Sequence, residues 1–110
     1  MRPSEYRQII RDHLKSAYLL SDEKIDALLP GFLETLRSHL EDLEHVLNGG
    51  DVKTMNRRAG HTIKGALLNL GLKDLAAIAL AIEKSCLDRE GRAEHAILVG
   101  KLKAEIEKII

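Results

Sequence analysis

The sequence predicts an all-α protein, an antiparallel up-down-up-down four-helix bundle with an additional short N-terminal helix. Three observations lead to this prediction. Apolar residues recur at helical spacing over most of the 110 residues. No segment alternates apolar and polar residues in the manner of a half-buried strand. The connections between the periodic segments are short, which favours antiparallel neighbours.

Five helices are predicted from the apolar spacing and from the residues that begin and end each segment. Ser21 is a good N-cap for the second helix, and Pro30 is expected to kink that helix or to end a short preceding turn. The Asn-Gly-Gly segment 48–50 stops it, Asp51 can cap the third helix, and Gly71 ends the third. In chain order, the predicted helices cover residues 4–15, 21–47, 52–70, 73–89 and 92–109.

The inward stripes of these helices define the predicted core. The single cysteine, Cys86, cannot form an internal disulfide and is expected to be a small core residue. The N-terminal helix is expected either to pack on the bundle as a lid or to lie apart. The predicted core residues are Ile9, Ile10, Leu14, Ile25, Leu28, Leu29, Phe32, Leu36, Leu40, Leu43, Leu47, Val52, Met55, Ala59, Ile63, Ala66, Leu70, Leu75, Ile78, Ala79, Ile82, Cys86, Leu98, Leu102, Ile106 and Ile109.

Length and charge narrow the class of protein. A single domain over 1–110 is expected, with the N-terminal helix in 1–20 and the bundle in 21–110. Lys+Arg and Asp+Glu are both 17, so the net charge gives no electrostatic case for nucleic acid as a partner. The N-terminus has no apolar h-region, and the longest apolar run is too short to span a bilayer. A cytoplasmic protein without membrane contact is therefore expected.

The third helix carries the candidate chemistry. On a helical wheel His61 lies opposite the buried stripe. A neutral imidazole is a competent nucleophile toward a phosphoryl group, and nearby cations favour the neutral form and stabilise the phosphoryl charge. Gly60 and Gly65 each cost about 1 kcal/mol in a helix, which suggests that bare backbone is needed there. The outward neighbours of the imidazole are Arg57, Arg58, Lys64, Gly65 and Leu68.

Residues 58–71, RAGHTIKGALLNLG, resemble the signature of histidine-containing phosphotransfer (HPt) domains. The shared pattern is a His, a Lys three residues on, a Gly next and another Gly six residues later. The similarity extends from about residue 25 to the C-terminus and includes segments 48–51 and 82–83. Gly60 departs from the Ala that is usual in the family, and Ala66 replaces a common small hydroxyl residue.

The resemblance implies a phosphorelay intermediate whose His61 exchanges a phosphoryl group with the aspartate of a receiver domain. By the same resemblance Lys64 is the phosphate-stabilising cation and Gly65 the clearance residue. The implied partners are the receiver domains of response regulators and a hybrid sensor kinase. The metal belongs to the receiver, and this chain is expected to hold no cofactor and to be a monomer. No Walker-type loop or kinase motif is present, so no autokinase activity is expected.

Arg57, Arg58 and Leu68 are candidate docking residues. Leu80 and Ala81 on the fourth helix either extend this docking surface or pack under the N-terminal helix. The alternative function is a non-catalytic helical adaptor bundle, for which a plain solvated His61 would suffice. The kinase, the receivers, the direction of phosphate flow and the phosphorylated imidazole nitrogen stay open, as does the choice between a free-standing protein and an excised domain.

A metal-binding bundle is disfavoured. A carboxylate-bridged di-metal site needs two inward Glu-x-x-His motifs, and only the segment 42–45 comes close to one. Structural or surface roles are therefore expected for the four remaining histidines, His13, His39, His45 and His95.

Overall fold

The computed structural model describes the backbone of residues 2–48, 53–84 and 91–110, and the side chains of residues 2–45, 58–84 and 94–110. This part of the chain forms five α-helices and no strand. The predicted all-α class is therefore confirmed. The helices are α1 (Pro3–Tyr18), α2 (Asp22–Asn48), α3 (Lys53–Asn69), α4 (Lys73–Lys84) and α5 (Gly91–Glu107).

Helices α2 to α5 form a closed four-helix bundle. Each helix packs against its neighbour in the chain, and α5 returns to pack against α2. The closest association is between α3 and α4, followed by that between α2 and α3. Consequently α3 lies between two partners and has one face left over for solvent.

The helix ends follow local side-chain and backbone chemistry. The Ser21 hydroxyl accepts a hydrogen bond of 3.2 Å from the Lys24 backbone N–H, which confirms Ser21 as the N-cap of α2. Helix α3 ends in a Schellman motif, in which the Leu72 N–H donates to the Leu67 carbonyl. Gly71 has a φ of 78° there. Glycine adopts this left-handed conformation without steric cost, which agrees with the prediction that Gly71 ends the third helix.

Pro30 does not end α2. The helix runs without interruption from Asp22 to Asn48, with Pro30 on its exposed side. Proline has no backbone N–H, so one carbonyl of the preceding turn is left without its helical hydrogen bond. On the solvent side water can reach that carbonyl, and the helix continues through Pro30.

Most of the predicted core is confirmed, with two corrections on α2. Leu28 is 43% exposed and Phe32 is 38% exposed. Phe32 borders an open apolar groove between α1, α2 and α3, and Leu28 lies one turn earlier on the same side of α2. The predicted core residues Leu47, Val52, Met55 and Cys86 lie outside the described side chains. Buried side chains that the predicted core does not include are Tyr6, Leu67, Leu72, Ala76, His95 and Val99.

Helix α1 closes one end of the bundle. The Tyr6 hydroxyl donates a hydrogen bond of 2.6 Å to the Glu105 carboxylate on α5. His13 packs directly on Gly71, where an added Cβ would lie 2.5 Å from the His13 Cβ. Arg11 pairs with Asp22 at 2.9 Å. Of the two expected arrangements the lid is thus confirmed, and a separate α1 is wrong. No described helix is both long and apolar enough to cross a lipid bilayer.

Candidate functional site

His61 lies in the middle of α3 on the face that the bundle leaves open. Its side chain is 69% exposed. Ile63 and Leu67, on the opposite side of the same helix, are fully buried. The helical period therefore places a potential nucleophile in solvent while its neighbours anchor the helix to the core.

A carboxylate on α4 contacts both His61 and Lys64. Glu83 Oε1 lies 3.3 Å from His61 Nδ1, and Glu83 Oε2 accepts a hydrogen bond of 3.0 Å from Lys64 Nζ. The Glu83 side chain is only 17% exposed. The three side chains form one cluster, in which His61 Nδ1 and Lys64 Nζ both face the Glu83 carboxylate.

Glu83 is the site residue that sequence reasoning missed. The family resemblance covers its position, but the sequence predicts no site role for it. A signal was nevertheless present, since His61 precedes Leu72 by the same number of residues by which Glu83 follows it. Residues at equal distances from a tight turn in an antiparallel helix pair lie at the same level.

Two of the three cations expected around the imidazole, Arg58 and Lys64, have described side chains. Lys64 is 22% exposed and paired with Glu83, so it is not a free positive charge. Arg58 is exposed on α3, and the Arg57 side chain lies outside the described residues. The charged group in contact with the imidazole is the Glu83 carboxylate.

The Lys64 ammonium holds the pKa of the Glu83 carboxyl below its usual value, and His61 adds to the effect. Partial burial of the carboxyl opposes this shift but is outweighed. Glu83 is therefore ionised at neutral pH and able to hold both partners.

Replacement of Glu83 by Gln is expected to remove a pH-dependent part of the stability. Because the folded-state pKa of Glu83 is lowered, its ion pairs stabilise the fold above the ordinary Glu pKa of about 4.3. This stabilisation is lost as the pH falls through the lower folded-state pKa. The melting temperature of the native chain should exceed that of Glu83→Gln at pH 7, and the two should converge in acid.

The exposed Glu34 on α2 supplies the control, since Glu34→Gln should show no comparable convergence. A melting-temperature difference between the native chain and Glu83→Gln that stays constant from neutral to acid pH would contradict the ion-pair assignment.

The two glycines near His61 have different surroundings, although the sequence suggested one explanation for both. Gly60 is buried, and a Cβ built on it would lie 3.0 Å from the N, Cα and Cβ atoms of Glu83. At Gly65 no atom lies within 4 Å of an added Cβ. Gly60 therefore permits the close approach of α4, whereas Gly65 leaves open space beside the imidazole.

Exposed apolar residues border the site. Leu68 is 45% exposed on α3, and Leu80, one turn before Glu83 on α4, is 36% exposed. Because α1 packs at the end of the bundle, it does not cover Leu80, and that expected alternative is wrong. On the other side of α3, Ala66 and Asn69 line the apolar groove, which has a volume of about 400 Å³.

The remaining histidines do not join this site. His95 is fully buried in α5, His13 packs on Gly71, His39 is half-buried and His45 is exposed. Within the described ranges, no group of three or more His, Cys, Asp or Glu side chains is arranged to hold a metal ion.

The model of the Hpt domain family matches residues 27–110, which is more than half of the chain. The chain therefore belongs to the family of histidine-containing phosphotransfer domains, and this membership assigns it to phosphorelay in two-component signalling. Domains of this family interact with receiver domains and kinases. No curated protein and no solved structure matches the chain. Helix α1 and the first turn of α2 precede the matched region.

Proposed function

We propose that His61 is the phosphoacceptor of this HPt domain. It takes a phosphoryl group from the phosphoaspartate of one receiver domain and passes it to the aspartate of another. The observation that carries the proposal is the exposed imidazole with a carboxylate at Nδ1. With the carboxylate at Nδ1, the proton of the neutral imidazole is proposed to lie on Nδ1 and the nucleophilic lone pair on Nε2.

In the proposed transfer, the Nε2 lone pair attacks the phosphorus of the aspartyl phosphate. A P–N bond forms, the bond between phosphorus and the aspartate oxygen breaks, and its electron pair stays on the aspartate carboxylate. The proton stays on Nδ1, where Glu83 faces the resulting positive charge of the phosphoimidazole. Return of the phosphoryl group to a second aspartate reverses these steps, so no proton has to leave the site.

Lys64 is proposed to stabilise the charge of the phosphoryl group. Its ammonium lies on the His61 face of α3, one turn from the imidazole. The ion pair with Glu83 holds the flexible lysine stem near His61 before a partner arrives. Positioning a cation in advance lowers the reorganisation needed during transfer.

The receiver is proposed to dock on the His61 face. Arg58 and Leu68 are exposed there, and Arg57 is a further docking candidate from the sequence alone. Gly65 lies on the side of α3 that leads to the apolar groove, because it shares a face with Asn69. A partner loop can therefore approach the imidazole over Gly65 while its apolar residues contact this groove. In this role the chain works in the cytoplasm as a monomer, with a hybrid sensor kinase upstream.

The test is incubation of the purified chain with a phosphorylated receiver domain. Appearance of an acid-labile, base-stable phosphate on the chain would support the proposal. Stable binding of the receiver with no phosphate transfer would favour the adaptor function instead. Phosphorus NMR of the product distinguishes Nε2 from Nδ1 phosphohistidine.

Replacement of Lys64 by Ala is expected to slow transfer without preventing it. One fixed donor beside developing charge contributes about a hundred- to a thousandfold in rate in a site closed to water, and less where solvent reaches the site. The rate of transfer from the receiver and the lifetime of phosphohistidine are the measurements. The exposed Lys101 on α5 provides the control variant, Lys101→Ala, which should transfer at the native rate. If neither measurement changes in Lys64→Ala, the lysine has no phosphate role.

A further inference from the structure

We propose that Gly60 is a positioning residue for the phosphoacceptor and that it acts through Glu83. Its missing side chain lets α4 approach α3 closely enough for one carboxylate to contact both His61 and Lys64. The inference rests on the proposed role of His61.

The contact at Gly60 involves atoms that cannot rotate away. An added Cβ would lie 3.0 Å from the backbone N and Cα of Glu83, as well as from its Cβ. Relief of such a contact requires the neighbour to move by a few tenths of an ångström. Because these atoms belong to the helix backbone, the movement has to displace α4 at the level of the site.

A small displacement affects the two contacts of Glu83 unequally. The distance of 3.3 Å between Glu83 Oε1 and His61 Nδ1 is already at the long end of the range for N–H···O contacts. The imidazole is held on two rotatable bonds and cannot follow a retreating carboxylate far. The lysine has a flexible four-carbon stem and can keep its shorter contact. A side chain at position 60 therefore weakens the histidine contact selectively.

The consequence is a loss of control over the imidazole tautomer. The partner of one ring nitrogen decides which nitrogen carries the proton. With Glu83 close to Nδ1, the proton is held there and Nε2 is free to attack. With Glu83 withdrawn, part of the population carries its proton on Nε2 and cannot act as the nucleophile.

Gly65 and Gly100 also lie within helices, but they lack the close contact found at Gly60. Neither has an atom within 4 Å of an added Cβ, so a methyl group there would meet open space. Gly100 lies on α5, away from the site, and is a matched control for the gain in helix propensity.

The experiment measures the tautomer of His61 in the unphosphorylated chain by long-range ¹H–¹⁵N NMR at a pH where the imidazole is neutral. The native chain should show mainly the Nδ1–H form. Gly60→Ala and Glu83→Ala should both shift the population toward Nε2–H, whereas Gly100→Ala should match the native chain. Phosphate acceptance by Gly60→Ala should be about three- to tenfold slower, as expected for a displacement well below 1 Å.

A double variant separates positioning from packing. If Gly60 acts through Glu83, Gly60→Ala should change neither the tautomer nor the transfer rate further in the Glu83→Ala background. Equal effects in both backgrounds, a native tautomer in Gly60→Ala or loss of its folded NMR spectrum would each overturn the proposal. The tautomer measurement needs no phosphate. A native chain that accepts no phosphate would therefore refute the proposed function separately.

Discussion

Replacement of His61 by Gln is expected to abolish phosphate acceptance and to leave the fold intact. The amide of Gln is not a nucleophile toward phosphorus, so transfer should fall below detection. The side chain is 69% exposed and contributes no core contact, and Gln is at least as good a helix former as His. Labelled phosphate transfer from a receiver domain and the melting temperature are the two measurements.

His45→Gln is the matched control because His45 is exposed on a different helix. This variant should accept phosphate at the native rate and melt at the native temperature. A melting temperature that falls sharply in His61→Gln would show that the imidazole is part of the packed structure. Retained acceptance in His61→Gln would place the phosphoacceptor elsewhere.

Replacement of Gly65 by Gln is expected to raise or preserve stability while it strongly impairs transfer. On helix propensity alone the change stabilises the protein by a few tenths of a kcal/mol to about 1 kcal/mol. The new side chain meets no atom near its Cβ, so packing should not oppose this gain. The same side chain fills the space through which a receiver and its phosphoryl group are proposed to approach His61.

Gly100→Gln on α5 tests the propensity effect alone, since its surroundings are equally open. This control should gain stability to a similar extent and transfer at the native rate. A Gly65→Gln variant that is destabilised but fully active would mean that the glycine serves packing. That outcome would end its assignment as a clearance residue.

Local periodicity was sufficient to predict the helices and the outward position of His61. Both depend only on which side of a single helix carries apolar residues, and the spacing of apolar residues along the sequence shows this side. The same reasoning failed for Leu28 and Phe32 on α2, because an apolar stripe is buried only where another element covers it. Here α1 lies at the end of the bundle and leaves the groove open.

The contacts of the site depend on how α3 and α4 pack together. The apolar pattern of a single helix does not predict this packing. Lys64 was expected to stabilise phosphate, but its ion pair with Glu83 joins two helices and is not predicted by the periodicity of either one. Gly60 was expected to share the explanation of Gly65 for the same reason. A helical wheel shows that a glycine is present, but it does not show which neighbour approaches it.

The turn at Gly71 makes the contact between His61 and Glu83 depend on the number of residues that separate them. Because His61 and Glu83 are equally distant from Leu72, they meet only while the number of residues between them is fixed. One inserted residue in the first part of α4 would rotate Glu83 by about 100° around the helix axis and shift it by about 1.5 Å along it. A change of one residue in the length of this segment would therefore separate Glu83 from His61, even where the individual side chains of the segment are exposed.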